Sequence, residues 1–310
     1  MTSKYYTNGN PLRYLPKSWT AIAEQPKNCL SRLLLYIIII GVAGAGFWYG
    51  FRQVFLDIIY PSLLLAEQGL DWHQSLRSFY TANSQTPIYV WAGSCIIGYF
   101  GLLMWKIRTT ELTAPQDKRT NSGKRLIQLW LNDILVSLLI IIVSCILIGI
   151  HVLFVKFDNI PFWIEPTVLS LLGITSGFWI LTLHIISQQH ILVEELRAPT
   201  ALWFALTRHA DFQKWLLLGF IATICSISLG LALCLPALIL CATDIIVIKE
   251  VYLSDQTIIP SYFPTALYTM IIVGHSIFFL VQTWILLAYS LCFKQSTRIN
   301  YKDDNDTRTD

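Results

Sequence analysis

Long runs of apolar residues without a charge constrain the fold of this chain most strongly. A helix needs about 20 mostly apolar residues to cross the roughly 30 Å hydrocarbon core of a bilayer. Six runs approach or exceed this length, at residues 33–51, 87–105, 131–155, 166–187, 215–248 and 266–293. Charged residues are only 13% of the chain, about half their share in a soluble domain. The sequence therefore predicts an all-α integral membrane protein.

The run at 215–248 is long enough for either one crossing or two. Its 34 residues would form a helix about 51 Å long, and Pro236 is expected to kink or break that helix. With one crossing and a cytoplasmic N-terminus, 18 of the 22 lysines and arginines face the cytoplasm, against 15 with two crossings. The positive-inside rule therefore favours a bundle of six transmembrane helices in three hairpins, with both termini cytoplasmic.

Polar segments divide the chain into three parts. Residues 1–32 are predicted to form a cytoplasmic amphipathic segment, residues 33–293 the transmembrane domain, and residues 294–310 a disordered cytoplasmic tail. Within the transmembrane domain, apolar side chains at 57–85 indicate a helix lying in the outer interface. The basic linker at 109–123 is predicted to be flexible.

Each predicted hairpin begins with a tryptophan-bearing stretch and returns through a polar loop with a proline. The tryptophans are Trp19, Trp130 and Trp203, and the prolines are Pro87, Pro161 and Pro260. Either the hairpin is a triplicated unit, or these residues are ordinary interface anchors and helix starts. Mitochondrial-type carriers also have three such hairpins, with a proline, an acid and a base ending their odd helices. Here Pro61 and Pro236 precede uncharged runs, which excludes that family.

A second pattern lies in the last third of the chain. Trp203-x-Ala205-Leu206, followed by a span and by Leu235-Pro236-Ala237-Leu238-Ile239-Leu240, resembles the repeat unit of polytopic bacterial inner-membrane proteins with repeated helical hairpins. The resemblance covers about residues 195–293, and those families carry no settled activity. It implies a bacterial inner membrane and no particular reaction.

Motifs for catalysis or metal binding are missing from the sequence. Its seven cysteines include no CxxC pair, which argues against a disulfide framework or a zinc site. No H-E-x-x-H, G-x-S-x-G or phosphate-binding glycine loop occurs. A cytoplasmic metal cluster of His184, His190, Glu194 and Glu195 is conceivable, but a solvated helix end is the favoured interpretation. We predict no catalytic residue, no cofactor and no metal.

Ionisable groups inside hydrocarbon are costly, so they are the first places to look for function. His275 is predicted near the bilayer midplane, with Gln282 two turns further along. Asp133 and His184 are predicted near the cytoplasmic ends of the third and fourth spans, where they could meet. The structural alternatives are a neutral His275 bonded to a neighbouring helix carbonyl, and an Asp133 and His184 that reach toward the interface. One midplane histidine without a midplane carboxylate argues against an ion-coupled carrier.

Small residues four positions apart predict close helix packing in a membrane. The pairs are Gly41/Ala45, Gly46/Gly50, Ser94/Gly98, Gly173/Gly177 and Ser226/Gly230. Most of them are expected to close the bundle of the monomer, and one could serve a partner helix.

These observations favour a non-enzymatic protein of the bacterial inner membrane that acts as a scaffold, assembly factor or accessory subunit. Its expected partners are the lipid bilayer and either another membrane protein or a second copy, and not nucleic acid. The alternative is a permease for a small apolar or amphipathic solute, with His275 and Gln282 in its path. A membrane enzyme acting on lipid headgroups is a third and weaker hypothesis.

Overall fold

The structure, a computed structural model, describes residues 14–23, 27–55, 86–112, 122–155, 164–207, 212–252 and 260–306. These ranges contain eight helices and no strand. The helices are α1 (Tyr14–Ala23), α2 (Lys27–Val54), α3 (Thr86–Glu111), α4 (Ser122–Val155), α5 (Ile164–Glu194), α6 (Ala198–Thr207), α7 (Phe212–Tyr252) and α8 (Phe263–Asp306). All except α1 and α6 are long and apolar enough to cross a membrane. The predicted all-α fold with six transmembrane helices is confirmed.

The long run at 215–248 forms one continuous helix. α7 extends from Phe212 to Tyr252 with Pro236 inside it. A proline removes one backbone hydrogen bond, but neighbouring helices and local adjustments can satisfy the freed group within a membrane. The 41 residues of α7 span about 60 Å, which exceeds the thickness of the bilayer core. The structure thus agrees with the single crossing that the charge distribution favours.

Helices extend past the apolar runs that predicted them. α4 begins at Ser122, ahead of its predicted span, and α8 reaches Asp306. Charged residues indicate where the chain leaves the hydrocarbon core, but they do not end the helix. Once the first turn of a helix has formed, adding further residues to it costs little free energy. α8 therefore continues into the segment 294–310, for which the sequence predicted disorder. The predicted interfacial helix at 57–85 and most of the linker at 109–123 lie outside the described residues.

The chain divides into two compact units. Unit 1 comprises residues 1–25, 106–225 and 284–310, and unit 2 comprises residues 26–105 and 226–283. Within unit 1, α4, α5 and α6 pack on one another. Within unit 2, α2 contacts α3, α7 and α8, and α7 contacts α8. The consecutive spans of each predicted hairpin are therefore in contact.

Close packing in unit 2 depends on glycine. A Cβ atom at Gly50 of α2 would lie 2.8 Å from the Cα of Trp91 and 2.9 Å from the carbonyl oxygen of Pro87, both on α3. At Gly41 it would lie 2.9 Å from the carbonyl oxygen of Ile272 on α8. These are backbone atoms, which no side-chain rotation can move away. The small-residue faces of α2 are therefore contact faces, as the sequence predicted.

The small-residue pair of α5 is not used in this way. Apart from its own helical turns, no atom of the described residues lies within 4 Å of a Cβ built at Gly173 or Gly177. The four-residue spacing of two glycines predicts that a second helix can approach closely at that face. It does not predict which helix of the chain, if any, does so. Both glycines line a cavity of about 660 Å³ whose other wall is α4, so the two helices do not approach closely there.

We expect Gly50→Ala to lower the free energy of unfolding by about 1–3 kcal/mol, because the added methyl group overpacks a backbone contact. Gly93→Ala on α3 is the matched control, since nothing lies within 4 Å of a Cβ at Gly93. There alanine should be neutral or stabilise the helix by up to about 1 kcal/mol. Unfolding by sodium dodecyl sulfate in mixed micelles measures both changes. Two substitutions with the same sign and size of effect would contradict the close contact at Gly50.

Candidate functional site

The four residues predicted to lie within the membrane are divided between the two units, with two residues in each. Asp133 and His184 belong to unit 1, and His275 and Gln282 belong to unit 2. In unit 1, Nε2 of His184 lies 3.7 Å from Oδ1 of Asp133, as expected for two residues at equal depth in one hairpin. In unit 2, His275 lines a cavity and Gln282 does not. Each unit thus carries its own candidate site.

Gln188 connects the polar groups of the unit 1 site. Its Nε2 donates to Oδ1 of Asp133 at 3.2 Å and hydrogen-bonds Nε2 of His184 at 2.8 Å. Its Oε1 accepts a hydrogen bond from Nζ of Lys106 at 3.1 Å. α3, α4 and α5 are joined here, because α3 provides Lys106, α4 provides Asp133 and α5 provides the other two residues. The sequence analysis missed Lys106 and Gln188, since each looked like a polar residue ending an apolar run.

The donors and acceptors of this network fix the tautomer of His184. Lysine only donates and a carboxylate only accepts, so the Gln188 amide must direct its oxygen to Lys106 and its nitrogen to Asp133. Nε2 of His184 therefore accepts a hydrogen bond, and the neutral imidazole carries its proton on Nδ1. The amide nitrogen of Asn132 lies 3.4 Å from Nδ1, while its buried Oδ1 has no partner among the described residues. Turning that amide by 180° lets Oδ1 accept from the Nδ1–H group and places the amide nitrogen at the position without a partner.

The residues considered for a metal cluster make structural contacts instead. Nδ1 of His190 pairs with Glu194 at 2.7 Å, and Glu195 pairs with Nη2 of Arg125 at 2.8 Å. Glu195 has a φ of 59°, which costs a residue with a side chain roughly 1–2 kcal/mol. The Arg125 contact offsets part of that cost where α5 ends. Among the described residues, no group of three His, Cys, Asp or Glu side chains is placed to hold a metal ion.

Unit 2 contains an ion pair that the sequence analysis did not find. Nε of Arg52 on α2 lies 3.0 and 2.9 Å from the two carboxylate oxygens of Asp244 on α7, and the indole N–H of Trp48 donates to Oδ2 at 3.3 Å. The side chain of Asp244 is only 3% exposed. The sequence feature that could have indicated this ion pair is Asp244, an acid inside an otherwise apolar run. Hydropathy does not show which helix provides the basic partner of such an acid.

A cavity of about 670 Å³ lies within unit 2. Its lining residues come from α2 (40–47), α3 (94–102), α7 (226–238) and α8 (275–279). Each of these ranges lies around the middle of a predicted span. The volume falls within the roughly 300–1,000 Å³ typical of ligand pockets. The cavity is therefore of ligand size and lies at the depth where a membrane is most apolar.

His275 is the histidine among the residues that line this cavity, and its side chain is exposed. Nδ1 lies 2.9 Å from the carbonyl oxygen of Ile271, one turn earlier on the same helix, so Nδ1 carries a proton that it donates. The ring packs against Gly44 of α2, where a Cβ would lie 3.0 Å from Nε2. Nε2 has no hydrogen-bond partner among the described residues. The predicted bond to a carbonyl thus exists, although the carbonyl belongs to α8 itself.

Gln282 contributes to unit 2 in a different way. Its Oε1 accepts a hydrogen bond from the hydroxyl of Ser226 at 3.4 Å, which joins α8 to α7 beside the cavity. Ser226 is among the lining residues, whereas Gln282 is not. Of the two residues predicted to share a path, His275 lines this cavity and Gln282 does not.

The two sites suit different chemistry. In unit 1 Gln188 pairs with Lys106, Asp133 and His184, which is typical of a network that fixes the relative positions of helices. In unit 2 a histidine lines an otherwise mostly apolar space. An apolar cavity with a few polar groups is the usual form of a small-molecule site.

No protein-family model, no curated protein and no solved structure matches this chain. The resemblance of residues 195–293 to bacterial inner-membrane proteins stays a prediction. Six membrane-spanning helices identify the chain as a multi-pass membrane protein.

Proposed function

We propose that this multi-pass membrane protein binds a small apolar or amphipathic molecule in the unit 2 cavity and serves as its permease or carrier. The observation that carries the proposal is the mid-span position of a cavity of about 670 Å³ that His275 lines. Water is scarce at that depth, so a molecule dissolved in the bilayer is the natural occupant. The charge distribution supports a cytoplasmic location of both termini, and the resemblance of residues 195–293 supports a bacterial inner membrane.

A second candidate function is that of an accessory subunit or assembly factor. Gly173 and Gly177 of α5 support it, because no atom of the described residues lies within 4 Å of a Cβ built on either glycine. In lipid, small residues on a helix face gain most when another backbone packs on them. The partner would be another membrane protein or a second copy of this chain, and crosslinking in mild detergent would test for it.

Cysteine positions allow a controlled test of the cavity. Cys95 and Cys145 are both exposed. Cys95 lines the cavity, and Cys145 lies on α4 in unit 1. Tryptophan at position 95 would fill part of the cavity, and tryptophan at position 145 would not. The probe is 1-dodecanol with a photoactivatable diazirine in its chain, and crosslinked residues are mapped by mass spectrometry.

We expect the probe to label residues of the cavity lining in the unmodified protein. Cys95→Trp should reduce that labelling about fivefold or more, and Cys145→Trp should leave it unchanged. Thermal unfolding of both variants shows that each is still folded. Absence of labelling in the cavity, or equal loss in both variants, would overturn the proposal.

A further inference from the structure

The hydrogen-bonding pattern of His275 restricts what the cavity can bind. The bond from Nδ1 to the carbonyl oxygen of Ile271 at 2.9 Å keeps the proton on Nδ1, since a carbonyl only accepts. The other ring nitrogen of a neutral imidazole is then an acceptor. Nε2 therefore carries a lone pair on a side chain that lines the cavity, and it has no partner among the described residues.

An unpaired polar atom is costly at this depth. Moving a polar group from water to an apolar environment is unfavourable unless the group gains a hydrogen bond there. A ligand whose own group donates to Nε2 removes that cost. A pure hydrocarbon cannot donate and leaves the cost in place.

Charge restricts the ligand further. The lining contains serines, cysteines and Tyr99 besides His275, but no Asp, Glu, Lys or Arg. A charged ligand would therefore enter mid-bilayer hydrocarbon without a counter-ion, which is unfavourable by several kcal/mol. Carboxylates and ammonium groups are thus poor candidates at this site.

We infer that the ligand is an uncharged amphiphile with a hydroxyl group, of the long-chain alcohol class. This inference rests on the proposed function. Its hydroxyl donates to Nε2 of His275, and its apolar body lies along the walls formed by residues such as Phe47, Leu231 and Phe279. Binding requires no proton transfer, because the imidazole is the acceptor throughout.

The test compares three competitors of equal chain length against the photoactivatable dodecanol, in phosphatidylcholine nanodiscs. We expect 1-dodecanol to compete more strongly than dodecane or dodecanoate. His275→Phe keeps an aromatic ring against Gly44 but removes the acceptor, and it should weaken competition by 1-dodecanol about fivefold, as expected for one hydrogen bond. His275→Gln restores an acceptor oxygen and should recover part of the loss. His151→Phe on α4 is the control and should change nothing, because His151 lies in unit 1.

The outcomes separate this inference from the proposed function. If the cavity is labelled but dodecane competes as well as 1-dodecanol, or His275→Phe has no effect, the hydroxyl class is wrong and cavity binding stands. If dodecanoate competes best, the occupant is an anion and the argument from charge is wrong. If nothing labels the cavity, the proposed function itself fails.

Discussion

Arg52→Met is expected to destabilise the protein by about 3–5 kcal/mol, because it leaves a buried carboxylate without its counter-ion. The side chain of Asp244 is 3% exposed, and both of its oxygens lie within 3.0 Å of Nε of Arg52. Without Arg52, the remaining donor to Asp244 among the described residues is the indole N–H of Trp48 at 3.3 Å. Unfolding by sodium dodecyl sulfate in mixed micelles measures the loss.

Replacing the acidic partner of the ion pair should lower the free energy of unfolding by less. Asp244→Leu leaves an arginine that is 26% exposed and can extend its head group toward water. The double variant Arg52→Met/Asp244→Leu should recover most of the loss, since apolar replacement of a whole buried ion pair is often neutral. Arg32→Met, at an exposed position of the same helix, should stay within about 0.5 kcal/mol. An Arg52→Met effect no larger than that of Arg32→Met would contradict the buried ion pair.

Gln188→Leu is expected to cost about 2–4 kcal/mol, because one substitution removes hydrogen bonds to Lys106, Asp133 and His184. These contacts join α3, α4 and α5 within unit 1. Leucine is close to glutamine in size, so the loss would reflect hydrogen bonding more than a cavity. The free energy of unfolding in mixed micelles again gives the magnitude.

Thr175→Val provides the control for that substitution on the same helix. Thr175 is exposed, and its hydroxyl bonds the carbonyl of Leu171 in its own helix. Its replacement should change the free energy of unfolding by no more than about 0.5 kcal/mol. A Gln188→Leu variant as stable as Thr175→Val would show that the unit 1 network does not hold the helices together.

Hydropathy and charge predicted the fold of this chain because both report on depth in a membrane. The six spans follow from run length, and the proximity of Asp133 and His184 follows from equal depth in one hairpin. Hydropathy does not report which way a uniformly apolar helix is rotated. For that reason the sequence could not assign Gln188 as the residue between Asp133 and His184, nor Lys106 as its third partner.

Contacts between helices distant in the sequence were equally beyond prediction. Arg52 and Asp244 are separated by 192 positions, and nothing local indicates that α2 lies beside α7. His275 and Gln282 illustrate the same limit over a short distance. Two helical turns place them roughly 10 Å apart along α8, so residues on one helix face need not reach one cavity.

We propose above all that a lipid-soluble molecule occupies the unit 2 cavity beside His275. An experimental structure of the full chain, determined in nanodiscs formed with lipids of the source membrane, tests it most directly. We predict non-protein density along the lining residues of α2, α3, α7 and α8, with a polar end within hydrogen-bond distance of Nε2 of His275. Side chains from α3 and α7 packed together there, with no space between them and no density, would contradict it.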